Sequence, residues 1–429
     1  MTASRPNATG SSAPRPNATG SSGPRPLEGV VVLDLSRFLA GLYCTLLLAG
    51  LGAEVIKIEP PSGDPYRDRS PFGGPAGLHV TRQSSDDISM PILHRTRGKK
   101  SITLNLRAAA GTDILRKLVA GADVLVENYL PGTLEAMGIP YPALAELNPR
   151  LILCSISGFG QDGARRDWRA FDPVIQSMSG MSSITGYPDR PPVRAGASIS
   201  DTTASLHGVI GVLAALQARQ RTGRGDWVDV AMLDSSLFGL ADVLEYAAAG
   251  LPTDRLGNGH PGTVPFNSYR ARDGWVTVCA VTDAEWSHVL AALGRPELAS
   301  DPRYAAPAAS RRAHREEIDA LMSEWMAERT AVEAVEMLQK HHVAAGPVRD
   351  LAEALADEHL RERGAVVPLE HPTAGPIPGG LAAGMPIKFR NHAAGFEGPA
   401  PAVGAHNAEI YGRLGLGPDL TALRDAGVI

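Results

Sequence analysis

A strand–helix–strand pattern near the start of the chain most strongly limits the folds open to it. Residues 30–35 form an apolar, β-branched run, which predicts a buried strand. Residues 39–51 are dense in apolar side chains, as in a buried helix, and Gly52 follows as a C-cap. Glu54–Glu59 then alternates as a second strand. A helical crossover between two strands predicts that they run parallel.

The same alternation recurs along the first half of the chain. Residues 101–106, 123–127 and 151–155 have strand character, and residues 108–120 have helix character. Repeated alternation of this kind predicts a doubly wound α/β domain with a parallel sheet.

The chain divides by composition into four parts. Residues 5–14 and 15–24 form a tandem ten-residue repeat of Pro, Gly, Ser and Asn with almost nothing to bury, so residues 1–26 are predicted to be a disordered tail. Residues 27–225 are predicted to form the first part of the large α/β domain. Residues 226–335 are predicted to be a linker and a smaller α+β domain, and residues 336–429 to return to the large domain.

Composition excludes several classes of function. The net charge of −5 shows no basic excess, so no nucleic-acid partner is expected. Three separated cysteines offer neither a disulfide framework nor zinc-ligand spacing, so no metal site is predicted. No apolar stretch reaches the roughly 18 residues that a membrane helix needs, and no secretory apolar region stands near the N-terminus. The expectation is a cytoplasmic enzyme without a membrane partner.

Two segments of the α/β pattern can be examined for chemistry, the turn after the first strand and the start of the long helix. The turn after the first strand, SRFLAG at 36–41, lacks the glycines that let a backbone approach a pyrophosphate, so it does not predict dinucleotide binding. Asp201 stands at the start of a long predicted helix. A structural N-cap explains it, but a carboxylate there is also stabilised as an anion, which suits a nucleophile.

A glycine-rich segment and two groups of basic residues can each be interpreted as structural or as functional. Residues 257–262, beginning Gly257-Asn258-Gly259, form either an ordinary loop or a mobile flap that excludes water. The basic residues near Lys99 and Arg169 are either solvated surface or partners for phosphate groups.

Many short motifs in one order resemble the class III (CaiB/BaiF-type) CoA-transferases. They are GVVVLDLSR at 29–37, AGLGAEVIKIE at 49–59, RGKKS at 97–101, DVLVENYLPG at 123–132, NPRLI at 148–152, SGFGQ at 157–161, FDPVIQ at 171–176, TGRG at 222–225, DGW at 273–275 and AGPV at 345–348. The resemblance covers roughly residues 27–429.

The resemblance implies a fold and a chemistry. The large domain is built from both chain ends, the smaller domain is inserted between them, and two chains form an interlocked-ring homodimer. Asp201 matches the family nucleophile, which attacks an acyl-CoA thioester and becomes an aspartyl-CoA thioester. The acceptor, a carboxylic acid, then takes the CoA. No cofactor or metal is needed, because the coenzyme A thioester is itself a substrate.

The resemblance also implies roles for further positions. The backbone at Leu39 and Ala40 matches the segment that contacts the thioester. Positions near the CoA moiety are matched by Arg37, Lys99, Lys100, Met137 and Arg169. The flap is matched by Gly257, Asn258 and Gly259.

Two other functions remain open at the level of sequence. The same family includes α-methylacyl-CoA racemases, which use a histidine at the position of Phe171; a phenyl ring cannot accept a proton. A non-catalytic acyl-CoA-binding scaffold is the alternative of another class, and the presence of Asp201 argues against it.

Overall fold

The computed structural model describes residues 23–305 and 307–429. Most of the predicted disordered tail, residues 1–26, therefore lies outside the described residues. The last part of that tail is ordered, because Arg25 donates to the carbonyls of Ala49 and Gly50 at 3.1 Å and pairs with Glu397 at 2.6 Å. Ordered structure thus begins before Leu27, where the sequence placed its start.

The described residues contain fourteen strands. They are β1 (Val31–Asp34), β2 (Glu54–Glu59), β3 (Phe72–Gly74), β4 (Gly77–His79), β5 (Ile88–Ser89), β6 (Lys100–Thr103), β7 (Val124–Glu127), β8 (Ile152–Ser157), β9 (Trp227–Ala231), β10 (Phe266–Arg270), β11 (Trp275–Cys279), β12 (Ala344–Pro347), β13 (Val366–His371) and β14 (Gly375–Ala383).

Eighteen α-helices lie between these strands in the described part of the chain. They are α1 (Ala40–Gly50), α2 (Met90–Arg95), α3 (Ala109–Ala120), α4 (Thr133–Ala136), α5 (Tyr141–Leu147), α6 (Asp172–Met178), α7 (Met181–Ile184), α8 (Ile199–Thr222), α9 (Met232–Phe238), α10 (Ala241–Ala248), α11 (Asp283–Ala292), α12 (Ala308–Ala313), α13 (Arg315–Ala327), α14 (Ala331–Lys340), α15 (Leu351–Ala356), α16 (Glu358–Glu362), α17 (Asn407–Arg413) and α18 (Leu420–Asp425).

A six-stranded parallel sheet is the centre of the first unit and confirms the predicted α/β class. Its order is β6-β2-β1-β7-β8-β9, and all five neighbouring pairs are parallel. Numbered along the chain, this order is 3-2-1-4-5-6, so the direction of winding reverses between β1 and β7. In sheets of this kind, ligands bind outside the carboxyl ends of the strands at that reversal.

The chain forms two compact units whose bounds differ from the predicted ones. The first comprises the described part of Met1–Arg169 with Asp201–Met232 and Leu355–Ile429, and the second comprises Ala170–Ser200 and Leu233–Ala354. The sequence had placed residues 170–200 in the large domain. Within the second unit, the Ser200 N–H donates to Asp172 at 2.8 Å, and Ser236 donates to the Ser200 hydroxyl at 2.8 Å. Such long-range bonds leave no local periodicity to detect.

The second unit has its own antiparallel sheet and core. β10 pairs with β11, and β11 with β12. Helices α11, α13 and α14 bury their apolar side chains with the sheet, around Trp286, Met322 and Leu338. Two smaller antiparallel sheets, β4-β3-β5 and β13-β14, belong to the first unit.

Helix α8 is the longest helix and approaches the parallel sheet closely. A Cβ added at Gly208 would lie 3.0 Å from Ile156, and one added at Gly211 would lie 2.4 Å from Val228. By length and composition α8 is also the one helix in the described ranges that could cross a membrane, with a mean hydropathy of 1.3. The helix contains several polar residues, so no continuous apolar run marks it in the sequence. Core helices of soluble proteins have the same properties.

Candidate active site

A buried ion pair holds the end of β1 against helix α1. Lys99 and Asp34 are fully buried, and the Lys99 ammonium lies 2.9 Å from the Asp34 carboxylate. The same carboxylate accepts from the hydroxyl of Thr45 on α1 at 2.6 Å. Burial alone would raise the pKa of Asp34, but the ammonium groups of Lys99 and Lys57 outweigh it and hold the pKa below its ordinary value. The carboxylate is therefore charged and fixed beneath the loop that follows β1.

The loop after β1 is clamped to the loop after β7, across the reversal point of the sheet. The Arg37 N–H donates to the Asn128 side chain at 2.7 Å, and that side chain donates to the Arg37 carbonyl at 2.6 Å. The Arg37 guanidinium lies 5.7 Å from the centre of the Tyr129 ring. Phe38, next along the loop, adopts φ = 65°. A left-handed phenylalanine is strained, and such strain is concentrated at functional sites.

Helix α8 brings Asp201 to the same loop. Asp201 is half-buried in the first turn of α8. One turn later, the Ser205 hydroxyl lies 2.6 Å from the Ala40 carbonyl and 2.7 Å from the Asp201 carbonyl, so its proton is shared between them. The predicted nucleophile and the predicted thioester-contact segment are thus joined through one buried side chain.

The first turn of α1 offers backbone donors at this point. Leu39 is its N-cap, and an aliphatic side chain cannot accept a hydrogen bond from the first amides of the helix. Such amides suit a developing negative charge. The described residues hold no cluster of three or more His, Cys, Asp or Glu side chains that could bind a metal ion.

The two lysines predicted to bind CoA have partners inside the protein. The Lys99 ammonium forms an ion pair with Asp34, and it also donates to the Thr45 hydroxyl at 2.7 Å and to the Leu42 carbonyl at 3.0 Å. Lys100 pairs with Glu54 at 2.6 Å and with Glu409 at 2.5 Å. A direct phosphate contact would have to break these pairs. The contacts of Lys99 fit support of the end of β1 and of helix α1, and those of Lys100 fit attachment of β6 to β2 and α17.

The remaining predicted residues lie in different surroundings. Met137 ends α4 and packs against the core of the first unit. Arg169 is exposed. In the second unit, Gly257, predicted to belong to a flap, has φ = 61° and donates to the Gly186 carbonyl at 2.9 Å. Asn258 is exposed and Gly259 half-buried.

Sequence reasoning missed two polar residues beside the reversal point. Asn128 makes the clamp between the two loops, and Glu127 is a buried acid at the carboxyl end of β7. Burial raises the pKa of Glu127 to about 7. Both follow directly after a strand of continuous apolar residues. Polar residues at that place in a parallel sheet are the signal that could have found them.

Comparison with known proteins places the chain in a family. The model of CoA-transferase family III matches residues 27–407. Succinyl-CoA–D-citramalate CoA-transferase of Chloroflexus aurantiacus is 39% identical over 404 residues, covering 93% of this chain and 97% of that one. Succinate–glutarate CoA-transferase of Agrobacterium fabrum is 35% identical over 390 residues, with 90% and 95% coverage.

A solved structure agrees with these relatives. The crystal structure of a CaiB/BaiF family protein from Brucella suis superposes with a TM-score of 0.77 at 34% identity, covering 91% of this chain and all of that one. The match spans nearly the whole of each protein, and the motifs from residue 27 onward follow in the expected order. The chain therefore belongs to CoA-transferase family III.

Proposed function

We propose that the protein transfers coenzyme A from an acyl-CoA thioester to a carboxylic acid, with Asp201 as the nucleophile. The observation that carries the proposal is the contact of Ser205 with both Ala40 and Asp201, at 2.6 and 2.7 Å. It places the first turn of α8, which carries Asp201, beside the uncapped first turn of α1. A nucleophile and backbone donors for the developing oxyanion are the two groups that acyl transfer requires.

The reaction proceeds through two anhydrides and one enzyme thioester. The Asp201 carboxylate attacks the thioester carbonyl and expels CoA thiolate, which leaves a mixed anhydride. The thiolate attacks the aspartyl carbonyl, releasing the donor acid and forming aspartyl-CoA. The acceptor carboxylate attacks that thioester and forms a second anhydride with release of the thiolate. Attack of the thiolate on the acceptor carbonyl gives the new acyl-CoA and restores Asp201.

The acceptor class follows from the named relatives. Citramalate, succinate and glutarate, the acids in their names, are all dicarboxylic. Identity above a third over nearly the whole chain supports carrying this class across. The proposed acceptors are therefore small dicarboxylic acids.

Replacement of Asp201 tests the proposal. Asp201 lies inside the first turn of α8 and not at its N-cap, where the sequence placed it. Asp201→Asn keeps the size and polarity of the side chain, so the fold should survive while transfer falls by several orders of magnitude. Wild-type enzyme incubated with an acyl-CoA, quenched with hydroxylamine and mapped by mass spectrometry should carry the modification on Asp201. Asp113→Asn is the matched control, because it removes an exposed carboxylate on helix α3.

Two results would refute this mechanism. One is an Asp201→Asn variant that folds and transfers CoA at near wild-type rate. The other is exchange of the α-proton of the acyl group without acyl transfer, which would indicate a racemase. Phe171, the N-cap of α6, carries no acid or base at the position of the racemase histidine.

We also propose that the working form is a homodimer. Several large apolar side chains are exposed on α8, and a second copy of the chain would bury them.

A further inference from the structure

Arg95, the last residue of α2, has an enclosed donor that no described residue satisfies. Its Nη1 atom is buried and has no hydrogen-bond acceptor among the described residues. A buried, charged donor that is left unpaired destabilises the protein, because it has lost its hydrogen bonds to water without replacing them. Buried polar groups are normally paired, so an orphan of this kind needs an explanation.

The guanidinium is held by two tyrosine rings. Its central carbon lies 4.9 Å from the centre of the Tyr66 ring and 6.0 Å from that of Tyr43. Cations over aromatic faces are attracted by the ring quadrupole. The rings therefore fix the position of Arg95, while its Nη1 keeps no hydrogen-bond acceptor among the described residues.

The same two tyrosines attach Arg95 to the candidate active site. The Tyr66 ring packs edge-on against Phe38 at 5.5 Å. The Tyr43 N–H donates to the Leu39 carbonyl at 2.9 Å. Arg95 is thus one ring away from the loop that contacts Asp201 through Ser205.

The basic residues around Arg95 have no acidic partner among the described residues. Among the described residues no carboxylate lies within ion-pair distance of Arg95 or its neighbours His94 and Arg97. Arg97 donates instead to the carbonyls of His94 at 3.2 Å and Ala383 at 2.8 Å. Burial, followed by the charges of Arg97 and Arg95, lowers the pKa of His94 to about 4, so His94 is neutral at pH 7. Arg67, by contrast, lies 2.6 Å from the Glu59 carboxylate.

We infer that Arg95 binds the carboxylate of the dicarboxylic substrate that does not react. Nη1 would donate to this second carboxylate, while the first reaches Asp201. The inference rests on the proposed function, and it names Arg95 as the residue that recognises dicarboxylic substrates. A charge-assisted bond to carboxylate would satisfy the orphan donor only when a diacid is bound. A monocarboxylic acid of the same length would leave it unpaired.

Acceptor discrimination in Arg95 variants tests the inference. The donor is acetyl-CoA, which has no second carboxylate, and the acceptors are succinate against butyrate and glutarate against valerate. In Arg95→Gln, kcat/KM for the diacids should fall by roughly 10- to 100-fold, mainly through KM. The values for the monoacids and the KM for acetyl-CoA should stay within about threefold. Arg95→Lys keeps the charge and should lose less.

Arg82→Gln is the matched control. Arg82 also lies over an aromatic ring, 5.0 Å from the centre of Phe72, but it already has a carboxylate partner in Asp68 at 3.1 Å. Its loss should leave the preference for diacids unchanged. Circular dichroism and thermal unfolding of each variant separate folding from recognition.

Several outcomes would overturn the inference, and they differ in meaning. Equal losses on diacids and monoacids would make Arg95 structural, and a rise in the KM for acetyl-CoA alone would make it a phosphate contact. An unchanged preference in both Arg95 variants would remove its role while leaving the substrate class intact. A wild type that does not prefer diacids would overturn both the class and the inference, and a wild type without transfer would overturn the proposed function.

Discussion

Glu127 shows how one buried side chain couples ionisation to folding. It is 4% exposed, and its carboxylate accepts from the Tyr129 N–H at 2.7 Å. Burial raises its pKa from 4.5 to about 7, against the opposing effect of the Ser155 hydroxyl. The folded protein therefore retains this proton between about pH 4.5 and pH 7, where the unfolded chain has lost it. The contribution of Glu127 to stability falls as pH rises through that window.

Glu127→Gln should remove this pH dependence. The amide has the same shape and can still accept from Tyr129, but it does not ionise. Relative to wild type, the variant should gain about 2–3 kcal/mol in free energy of unfolding between pH 5 and pH 8. Urea denaturation at the two pH values measures the gain. Glu135→Gln, which replaces an exposed acid on α4, should not reproduce it, and an unchanged pH slope in Glu127→Gln would show that the acid is not buried as described.

Lys99 shows that the partner of a charged residue cannot be predicted from the residue type alone. RGKK at 97–100 has the composition of a solvated or phosphate-binding cluster. In the structure Lys99 is fully buried against Asp34, 65 positions earlier in the chain. Composition reports the charge of a residue, whereas its partner is decided by tertiary packing. Arg95 escaped notice for the same reason, because its orphan donor exists only in the folded protein.

At the scale of elements, the sequence predicted most of what local periodicity encodes. The strands predicted at residues 30–35 and Glu54–Glu59 and the helix between them occur within a residue or two of the predicted ends. Their parallel pairing also follows from the crossover. The left-handed Phe38 could not be predicted, because no local pattern marks it and its ring packs against Tyr66, which is distant in sequence. The unit bounds were missed because they depend on contacts distant in sequence.

Helix α8 can lie close to the sheet because two of its residues lack side chains. A Cβ at Gly211 would meet the stiff Val228 side chain at 2.4 Å, far inside contact distance. Gly211→Ala should therefore cost about 1–3 kcal/mol, despite the higher helix propensity of alanine. Chemical denaturation measures the loss.

Gly412→Ala is the matched control for this substitution. Gly412 lies in helix α17, and no other part of the described structure is within 4 Å of an added Cβ. The same change should there be neutral or stabilise by up to ~1 kcal/mol. If Gly211→Ala were as stable as Gly412→Ala, helix α8 would not be packed against the sheet as described.

In the whole molecule, the face of α8 that points away from the parallel sheet exposes apolar side chains to solvent. Leu206, Ile210 and Leu213 are 52%, 61% and 36% exposed. Their spacing places them on one side of the helix, turned away from Gly208 and Gly211. A helix that is apolar on both sides is normally buried on both sides. The family resemblance implies that a second copy of the chain packs against this face.

The protein should therefore have about twice the 45.1 kDa mass of one chain when measured by light scattering at micromolar concentration. Ile210→Asp places a charge in the centre of the exposed stripe, where burial in an interface would be costly, so this variant should dissociate toward single chains. Val80→Asp is the matched control, because Val80 is 77% exposed and lies outside any such helical stripe. Its mass should remain that of the wild type. Wild-type protein that scatters as a single chain would contradict the prediction. So would an Ile210→Asp variant that keeps the doubled mass, since the apolar face of α8 would then lie outside the interface.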